Sequence, residues 1–134
     1  MSLLIGKHII AILSSDPAVK NQVGARIYPV AVPESTPKFP LVVYMNNGTN
    51  PDYSKDGALE DTVTVTIVLL HKDYNGGITL INHMRYLFED VKAKYADFEV
   101  TGCQLSSSAE DYDPELAKYV FSINLTFTTI DYEC

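Results

Sequence analysis

Two segments alternate between apolar and polar residues, and this alternation most constrains the fold. Glu60–His71 carries β-branched or other apolar side chains at every second position, and residues 118–129 carry larger apolar side chains with the same spacing. Successive side chains of a strand point to opposite faces of a sheet, so a period of two predicts strands. Strands of this kind form antiparallel sheets that are packed on one face.

Three further segments are predicted strands: residues 27–28, 39–45 and 98–108. The β-branched and aromatic residues in these segments favour extended backbone. Pro29 ends the first segment. Pro40 lies at the beginning of the second, where a missing N–H is tolerated. The sheet is expected to contain Leu41–Met45, Thr62–Leu70, Phe98–Leu105 and Tyr119–Thr128.

Two segments have helical spacing. Residues 3–13 predict a short amphipathic helix that ends before Pro17, although Asp16 could instead cap a short turn with Pro17 at its first position. Residues 78–95 predict a long helix that begins after the break Asn75-Gly76-Gly77. The apolar stripe of this second helix is wide enough to pack on a sheet.

These elements predict an α+β fold, with a mainly antiparallel sheet, one long helix packed on one face and a short N-terminal helix. At 134 residues, the chain is expected to form a single domain over residues 1–134. The expected core combines the strands with the long helix and contains Val65, Ile67, Ile81, Met84, Phe88, Ile123 and Leu125.

Two polar segments are predicted to lie outside the regular elements. Residues 46–57 are rich in Asn, Gly and Pro and predict a long loop, of which residues 48–57 are expected to be mobile in the free protein. Residues 110–115 predict an acidic turn. Its carboxylates resemble part of a calcium loop, but Pro114 breaks the required spacing, which favours a solvated hairpin tip.

The net charge of −7 is concentrated in the last third of the chain. Residues 1–85 carry 7 acidic and 7 basic side chains, whereas residues 86–134 carry 10 acidic and 3 basic ones. Binding to nucleic acid requires clustered Lys and Arg, so no sequence-specific nucleic acid partner is expected. The acidic surface is interpreted either as a solubilising face or as one that faces a polyanion without binding it.

No pattern points to catalysis, a metal or a cofactor. His8, His71 and His83 have no ligand at metal-binding spacing, and the HExxH and GxSxG motifs are missing. Cys103 and Cys134 are far apart in sequence and are expected to be free thiols. No apolar run is long enough to span a membrane, and no signal peptide is expected. The chain is therefore expected to be non-enzymatic and made in the cytoplasm.

Several motifs, in this order, resemble the tail completion (tail terminator) family of long-tailed phages. These are Arg26-Ile27-Tyr28-Pro29, Pro40-Leu41-Val42-Val43-Tyr44, and Pro51-Asp52-Tyr53-Ser54 leading into Val63-Thr64-Val65-Thr66-Ile67. The resemblance covers nearly the whole chain and implies a small α+β domain in the tail of a phage or prophage virion. It also implies a homo-oligomeric ring, with a hexamer as one option, that caps the tail tube and joins it to the head. The implied partners are tail-tube and head-connector proteins, without catalytic residues or cofactors.

Two sets of residues are the candidate sites of such a ring. Exposed tyrosines favour protein contacts, so the hypothesis places Tyr28, Tyr44, Asp52 and Tyr53 at the interface between subunits. The second set comprises acidic residues that would face a DNA channel: Glu110, Asp111, Asp113 and Glu115, with Glu89, Asp90, Asp97 and Glu99 as alternatives. A different class of function also stays open, a small α+β binding module for a ligand or protein partner that uses a pocket between helix and sheet.

Overall fold

A computed structural model describes residues 4–33, 37–51 and 60–132, with the side chains of 49–51 left out. The fold is α+β, as predicted. The described ranges contain three helices, α1 (Ile5–Ser15), α2 (Pro17–Val23) and α3 (Tyr74–Phe88). They also contain six strands: β1 (Ile27–Pro29), β2 (Leu41–Pro51), β3 (Glu60–His71), β4 (Ala93–Lys94), β5 (Phe98–Asp113) and β6 (Lys118–Asp131).

The strands form one sheet in the order β1-β2-β3-β6-β5-β4. β1 runs parallel to β2, and the other neighbouring strands are antiparallel. The two segments with the clearest alternation, β3 and β6, lie at the centre and pair from Glu60↔Ile130 to His71↔Tyr119. The strands with the strongest sequence signal thus became the middle of the sheet.

The helices cover one face of this sheet, and the core lies between the two layers. Side chains of all three helices join the inward-facing side chains of β3 and β6 in a single buried cluster. The prediction of the core is confirmed, because all seven expected residues are buried: Val65, Ile67, Ile81, Met84, Phe88, Ile123 and Leu125.

Asp16 begins a second helix, as the alternative interpretation proposed. Its side chain accepts a hydrogen bond from the backbone N–H of Val19 at 3.0 Å, and Pro17 occupies the first turn of α2. A capping carboxylate satisfies a backbone donor that has no partner within the helix, and proline loses nothing at that position. The helix Pro17–Val23 adds Val19 and Val23 to the core.

The predicted loop at residues 46–57 is wrong for its first six residues, because β2 continues through them. Asn46 pairs with Val65, and the pairing extends to Pro51 opposite Asp61, with a bulge between Asn46 and Gly48. The partner strand satisfies backbone groups that turn-forming residues would otherwise leave to water, and the bulge accommodates the Asn-Gly sequence. Residues 52–57 lie outside the described part of the chain.

The long helix occupies residues 74–88 instead of 78–95. Asp73 caps it by accepting a hydrogen bond from the N–H of Gly76 at 2.7 Å, so the two glycines belong to its first turn. A Cβ on Gly77 would lie only 2.2 Å from a ring carbon of Phe121, which explains a glycine inside a helix at this close approach. The helix ends at Phe88, and Tyr95, predicted to be helical, instead stacks on Phe98 with ring centroids 4.9 Å apart.

The acidic turn is shorter than predicted. β5 continues to Asp113, so three of the acidic residues belong to a strand, and the turn itself comprises residues 114–117. Pairing with β6 extends from Phe98↔Asp131 to Asp113↔Lys118, and two irregularities, at Val100/Gly102 and Leu105/Ser107, interrupt it. The cross-strand partners outweigh the turn propensity of the aspartates.

Candidate assembly surfaces

Two of the predicted interface residues, Tyr28 and Tyr44, lie on opposite faces of the sheet. Tyr28 is opposite Val43 in the β1–β2 register, one position before Tyr44, and successive residues of a strand alternate between faces. Tyr44 lies on the face covered by helices, where its ring approaches Gly6 of α1 and burial raises the pKa of its hydroxyl. The structure therefore does not bring the two tyrosines into one surface. Asp52 and Tyr53 lie outside the described residues.

The sheet face that the helices leave uncovered carries a row of neutral side chains joined by hydrogen bonds. Asn47 donates to Thr66 at 2.8 Å, and the Thr66 hydroxyl donates to the Asn124 side-chain oxygen at 2.6 Å. Asn124 then donates to the Ser107 hydroxyl at 2.9 Å. The row crosses β2, β3, β6 and β5, so these side chains hold one another in fixed orientations on an uncharged surface.

A strained turn follows β1. Val30 has a φ of 67°, and the Ala31 N–H donates to the Pro29 carbonyl at 2.7 Å, which makes a three-residue γ-turn centred on Val30. A β-branched residue with positive φ is a genuine outlier, and such strain concentrates at functional positions. The Val30 side chain is also 68% exposed. This combination marks the turn as a candidate contact surface.

An apolar cavity of about 230 Å³ lies beside this turn, between the start of α1 and the outer strands. It has no charged lining residue, and its walls are Ile5, Gly6, Pro29, Val30, Tyr44, Met45, Asn46 and Val65. Sequence reasoning selected Tyr44 in this group but missed Val30 and Met45. A valine after Pro29 gives no signal of positive φ, because that backbone conformation is favoured by glycine and asparagine.

The four acidic residues assigned to the channel are gathered at one end of the β5–β6 hairpin. Both Glu110 carboxylate oxygens lie 3.0 Å from the Tyr74 hydroxyl, and this hydrogen bond raises the pKa of Tyr74. Asp113 accepts hydrogen bonds from the N–H groups of Glu115 and Leu116 at 3.0 and 3.2 Å and thereby closes the turn. Two of the acidic side chains thus also have structural contacts.

Asp111 and Glu115 are the other two residues of this group, and both are exposed. Asp111 accepts only a local hydrogen bond, from the N–H of Tyr112 at 2.8 Å, among the contacts between described residues. Their charges can therefore be changed with little effect on the hairpin.

The alternative acidic residues are dispersed. Glu89 pairs with Arg85 at 3.0 Å, four positions earlier in the chain. Asp97 pairs with Lys7 at 2.7 Å, and this hydrogen bond lowers the pKa of the Asp97 carboxyl. Glu99 accepts from the Tyr132 hydroxyl at 3.1 Å. Glu99 lies at the end of β5 opposite the hairpin, and residues 100–109 between them carry no charge, so Glu99 forms no continuous acidic patch with the hairpin acids.

Burial keeps two ionisable side chains of the core, His8 and Cys103, in their neutral forms. His8 lies among the rings of Phe88, Tyr95 and Phe127, and burial lowers its pKa to about 4. Burial raises the pKa of the Cys103 thiol to about 12, so the reactive thiolate is suppressed. Both groups are neutral at pH 7 and serve as parts of the core.

Within the described residues, no group of three or more His, Cys, Asp or Glu side chains is placed to hold a metal ion. The helices in the same part of the chain are too short or too polar to cross a membrane. Among the described residues, the candidate features for function are surfaces: the neutral row on the uncovered face, the cavity beside Val30, the acidic hairpin and the outer edges of the sheet.

Comparisons with known proteins agree with this description. A family model described as "Tail completion protein gp17" matches residues 7–130, which extend from α1 into β6. A chain in a solved structure titled "Virion of native gene transfer agent (GTA) particle" is 10% identical, with 92% of each chain covered and a TM-score of 0.74. At this identity the likeness shows a shared fold. No curated protein matches the sequence significantly.

Proposed function

Since the chain belongs to the tail completion protein gp17 family and is a structural component of a phage-type virion tail, we propose that it forms a homo-oligomeric ring. The ring closes the end of the tail tube and joins it to the head, with tail-tube and head-connector proteins as its partners. The observation that carries this proposal is the family match over residues 7–130, because it includes every helix and strand of the domain except the first and last few residues.

The surfaces of the domain suit an assembly protein. Within the described residues only four polar or charged side chains are buried, His8, Asp61, His71 and Thr129, and no Ser, Thr or Cys side chain forms a hydrogen bond to a histidine. A ring of identical subunits requires two different, complementary surfaces on each copy. The sheet has two different outer edges, one at β1–β2 and one at β4–β5, which supports contacts of this kind.

The binding-module alternative is less favoured because the family match over residues 7–130 supports a structural role in a tail, and the cleft between α3 and β5 is small. The space between α3 and β5 measures about 100 Å³, with Ile78, Ile81 and Leu105 in its walls. Pockets that bury a drug-sized ligand have volumes of roughly 300–1,000 Å³. The cleft is large enough for one side chain of a protein partner.

Inactivating the gene in the parent phage or prophage tests the proposed role. Electron microscopy of the lysate should then show heads and tails that are not joined, or tails of irregular length, and the wild-type gene supplied in trans should restore joined particles. Normal particles without the protein would contradict the role. In purified wild-type tails, an image of the head-proximal end should show a ring of this protein, and a single copy there would contradict the ring.

The interface hypothesis for Tyr28 and Tyr53 is tested with alanine variants. Tyr28→Ala and Tyr53→Ala should weaken ring assembly, because aromatic side chains at interfaces contribute a large share of the binding energy. Tyr86→Ala is the matched control, since this tyrosine is 61% exposed on α3 and belongs to neither set of candidate residues. Circular dichroism melts check that each variant is folded, and equal assembly of all three folded variants would reject these two contacts.

The channel hypothesis is tested with the two acidic residues that have the fewest structural contacts. The double variant D111K/E115K should slow DNA ejection, because Lys contacts with phosphate retain a duplex that acidic side chains repel. D111N/E115Q is the control that removes charge without reversing it, and it should lie between the wild type and the Lys variant. Equal ejection rates for all three proteins would show that these residues do not line a channel.

A further inference from the structure

The outer edge of β5 has few backbone partners among the described residues. β4 pairs with it only at Glu99 and Val100, and Asp90 donates one more backbone hydrogen bond, to the Cys103 carbonyl at 3.1 Å. Beyond that point, the outer side of residues 104–113 has no backbone partner among the described residues. An unpaired strand edge is a template for another strand, and soluble proteins usually cover or charge it.

The first part of this edge is neither covered by another backbone segment among the described residues nor charged. It reads Gln104-Leu105-Ser106-Ser107-Ser108-Ala109, without a charged residue or a proline. The acidic residues begin only at Glu110. The uncharged stretch is therefore the part of β5 that is most able to accept a strand.

A cavity lies on each face of the sheet beside this stretch. On the helix side, Leu105 and Ser108 form a cavity of about 100 Å³ with Ile78 and Ile81 of α3. On the uncovered side, a cavity of about 220 Å³ is lined by Gly102, Gln104, Thr126 and Thr128, together with Asp90 and Cys103. Side chains of an added strand alternate between the two faces, so they would enter both cavities.

The opposite edge of the same sheet offers a suitable strand. Among the described residues, β1 covers the outer side of β2 as far as Tyr44, and Asn47 and Gly48 follow without a charged residue. The Gly48 N–H donates to the Asn46 side chain at 2.9 Å, a local hydrogen bond that an added strand would replace. Along the order β2-β3-β6-β5 the direction reverses at each step, so β2 and β5 run in opposite directions. Copies related by rotation about an axis along the strands would therefore place β2 of one copy antiparallel to β5 of the next.

The β2 edge at Gly48 and the β5 edge at Gln104 also lie at the same position along the strand direction. The paired row that contains Gly48 continues through Thr64 and Thr126 to Gln104. A contact between different surfaces closes into a ring only if the rotation carries no net translation along the axis. Edges at one height satisfy this condition within the small stagger that a closed sheet introduces.

We propose that subunits of the ring join by strand pairing, with the β2 edge around Asn47 and Gly48 of one copy added antiparallel to residues 104–109 of β5 in the next. This inference rests on the proposed ring and specifies its interface. The sheets of successive subunits then form one continuous sheet, and the neutral row Asn47-Thr66-Asn124-Ser107 continues from subunit to subunit.

Disulfide trapping tests the pairing in the full chain, in a Cys134→Ser background where only buried Cys103 remains. Asn47→Cys is combined in turn with Gln104→Cys, Ser107→Cys and Ala109→Cys, all on the uncovered face, so that the scan allows for stagger. Neighbouring strands bring Cα atoms to about 4.5–5.5 Å, within disulfide range. We expect one of these pairs to give a ladder of cross-linked oligomers under mild oxidation, at least tenfold more than either single variant.

The control pair combines Asn47→Cys with Ser122→Cys, which lies on the same face but one strand further inside the sheet. This pair should stay uncross-linked. The strand pairing is overturned if rings form but none of the three scanned pairs cross-links, or if the control pair cross-links equally. Either outcome leaves the proposed ring itself intact. Wild-type tails without a ring of this protein overturn the ring itself, and the pairing with it.

A proline variant provides an independent test. Ser106 is the extra residue between Leu105 and Ser107 in the register, so Ser106→Pro removes no residue pair between β5 and β6. It does remove the hydrogen bond between the Ser106 and Thr126 hydroxyls, which Ser106→Ala removes as well. The pyrrolidine ring of the proline and its missing N–H should block a strand added on the outer side of β5. We expect at least a tenfold loss of assembly with an unchanged melting curve, against Ser106→Ala as control. A folded Ser106→Pro protein that assembles like the control overturns the proposal.

Discussion

The Nδ1 atom of His8 lies 2.6 Å from the hydroxyl oxygen of Tyr95, although 87 positions separate the two residues. His8 is fully buried, and its Nε2 atom has no hydrogen-bond partner within the described residues. The contact ties α1 to the segment between β4 and β5. It also places an ionisable ring in a site that disfavours its charged form.

The stability of the protein should therefore fall when the pH falls from about 6.5 to 4. The folded state holds the His8 pKa at about 4 against 6.5 in the unfolded chain, so unfolding takes up a proton in this range. The contribution of neutral His8 to the free energy of unfolding totals about 3 kcal/mol. It is complete above pH 6.5 and is lost as the pH approaches 4. Urea unfolding at pH 7.5, 5.5 and 4.5 measures this dependence of the stability on pH.

His71 should also make the protein less stable as the pH falls, since burial lowers its pKa as well. His8→Leu provides the control: its free energy of unfolding should vary less between pH 7.5 and 4.5 than that of the wild type. An unchanged slope in this variant would show that His8 does not carry the pH dependence.

Phe88→Ala should lower the free energy of unfolding by about 3–5 kcal/mol, because it removes a fully buried ring and leaves a cavity. Tyr86→Ala on the same helix should change it by less than about 1 kcal/mol, since that ring is 61% exposed. Denaturant titration compares the free energies of unfolding of the two variants. A small effect at Phe88 would show that the face of α3 assigned to the core is wrong.

Gly77→Ala should destabilise the protein by about 1–3 kcal/mol, although alanine favours helices. The added methyl group would lie 2.2 Å from the ring of Phe121, so the helix must move away from the sheet. Phe121→Leu in the Gly77→Ala background should recover part of the loss, and a double-mutant cycle measures the coupling. Additive effects of the two substitutions would contradict this steric account.

Cys103 should react slowly with iodoacetamide in the folded protein. Burial raises the pKa of its thiol to about 12, so roughly one molecule in 10,000 carries the thiolate at pH 8. In a Cys134→Ser background, mass spectrometry should show labelling only after urea is added. Rapid labelling of the native protein would show that the β5 strand opens around Cys103.

Sequence reasoning succeeded where one pattern had one physical interpretation. Strict alternation in Glu60–His71 predicted a strand with one buried face, and it became the centre of the sheet. It was less successful where local preference competed with distant partners. Asn46 and Gly48 have turn chemistry, yet they pair with β3. Gly77 was interpreted as part of a helix break, yet its lack of a side chain is what allows α3 to approach Phe121.

The sequence by itself determined the α+β class, the seven core residues and the absence of a catalytic motif, because hydrophobic periodicity and residue chemistry are local properties of the chain. The tertiary structure decided which surfaces exist. It separated Tyr28 from Tyr44, assigned Glu110 and Asp113 to structural contacts, and placed the β5 edge, unpaired among the described residues, between two cavities. These properties depend on which strands become neighbours, and that choice is made by contacts between residues far apart in the sequence.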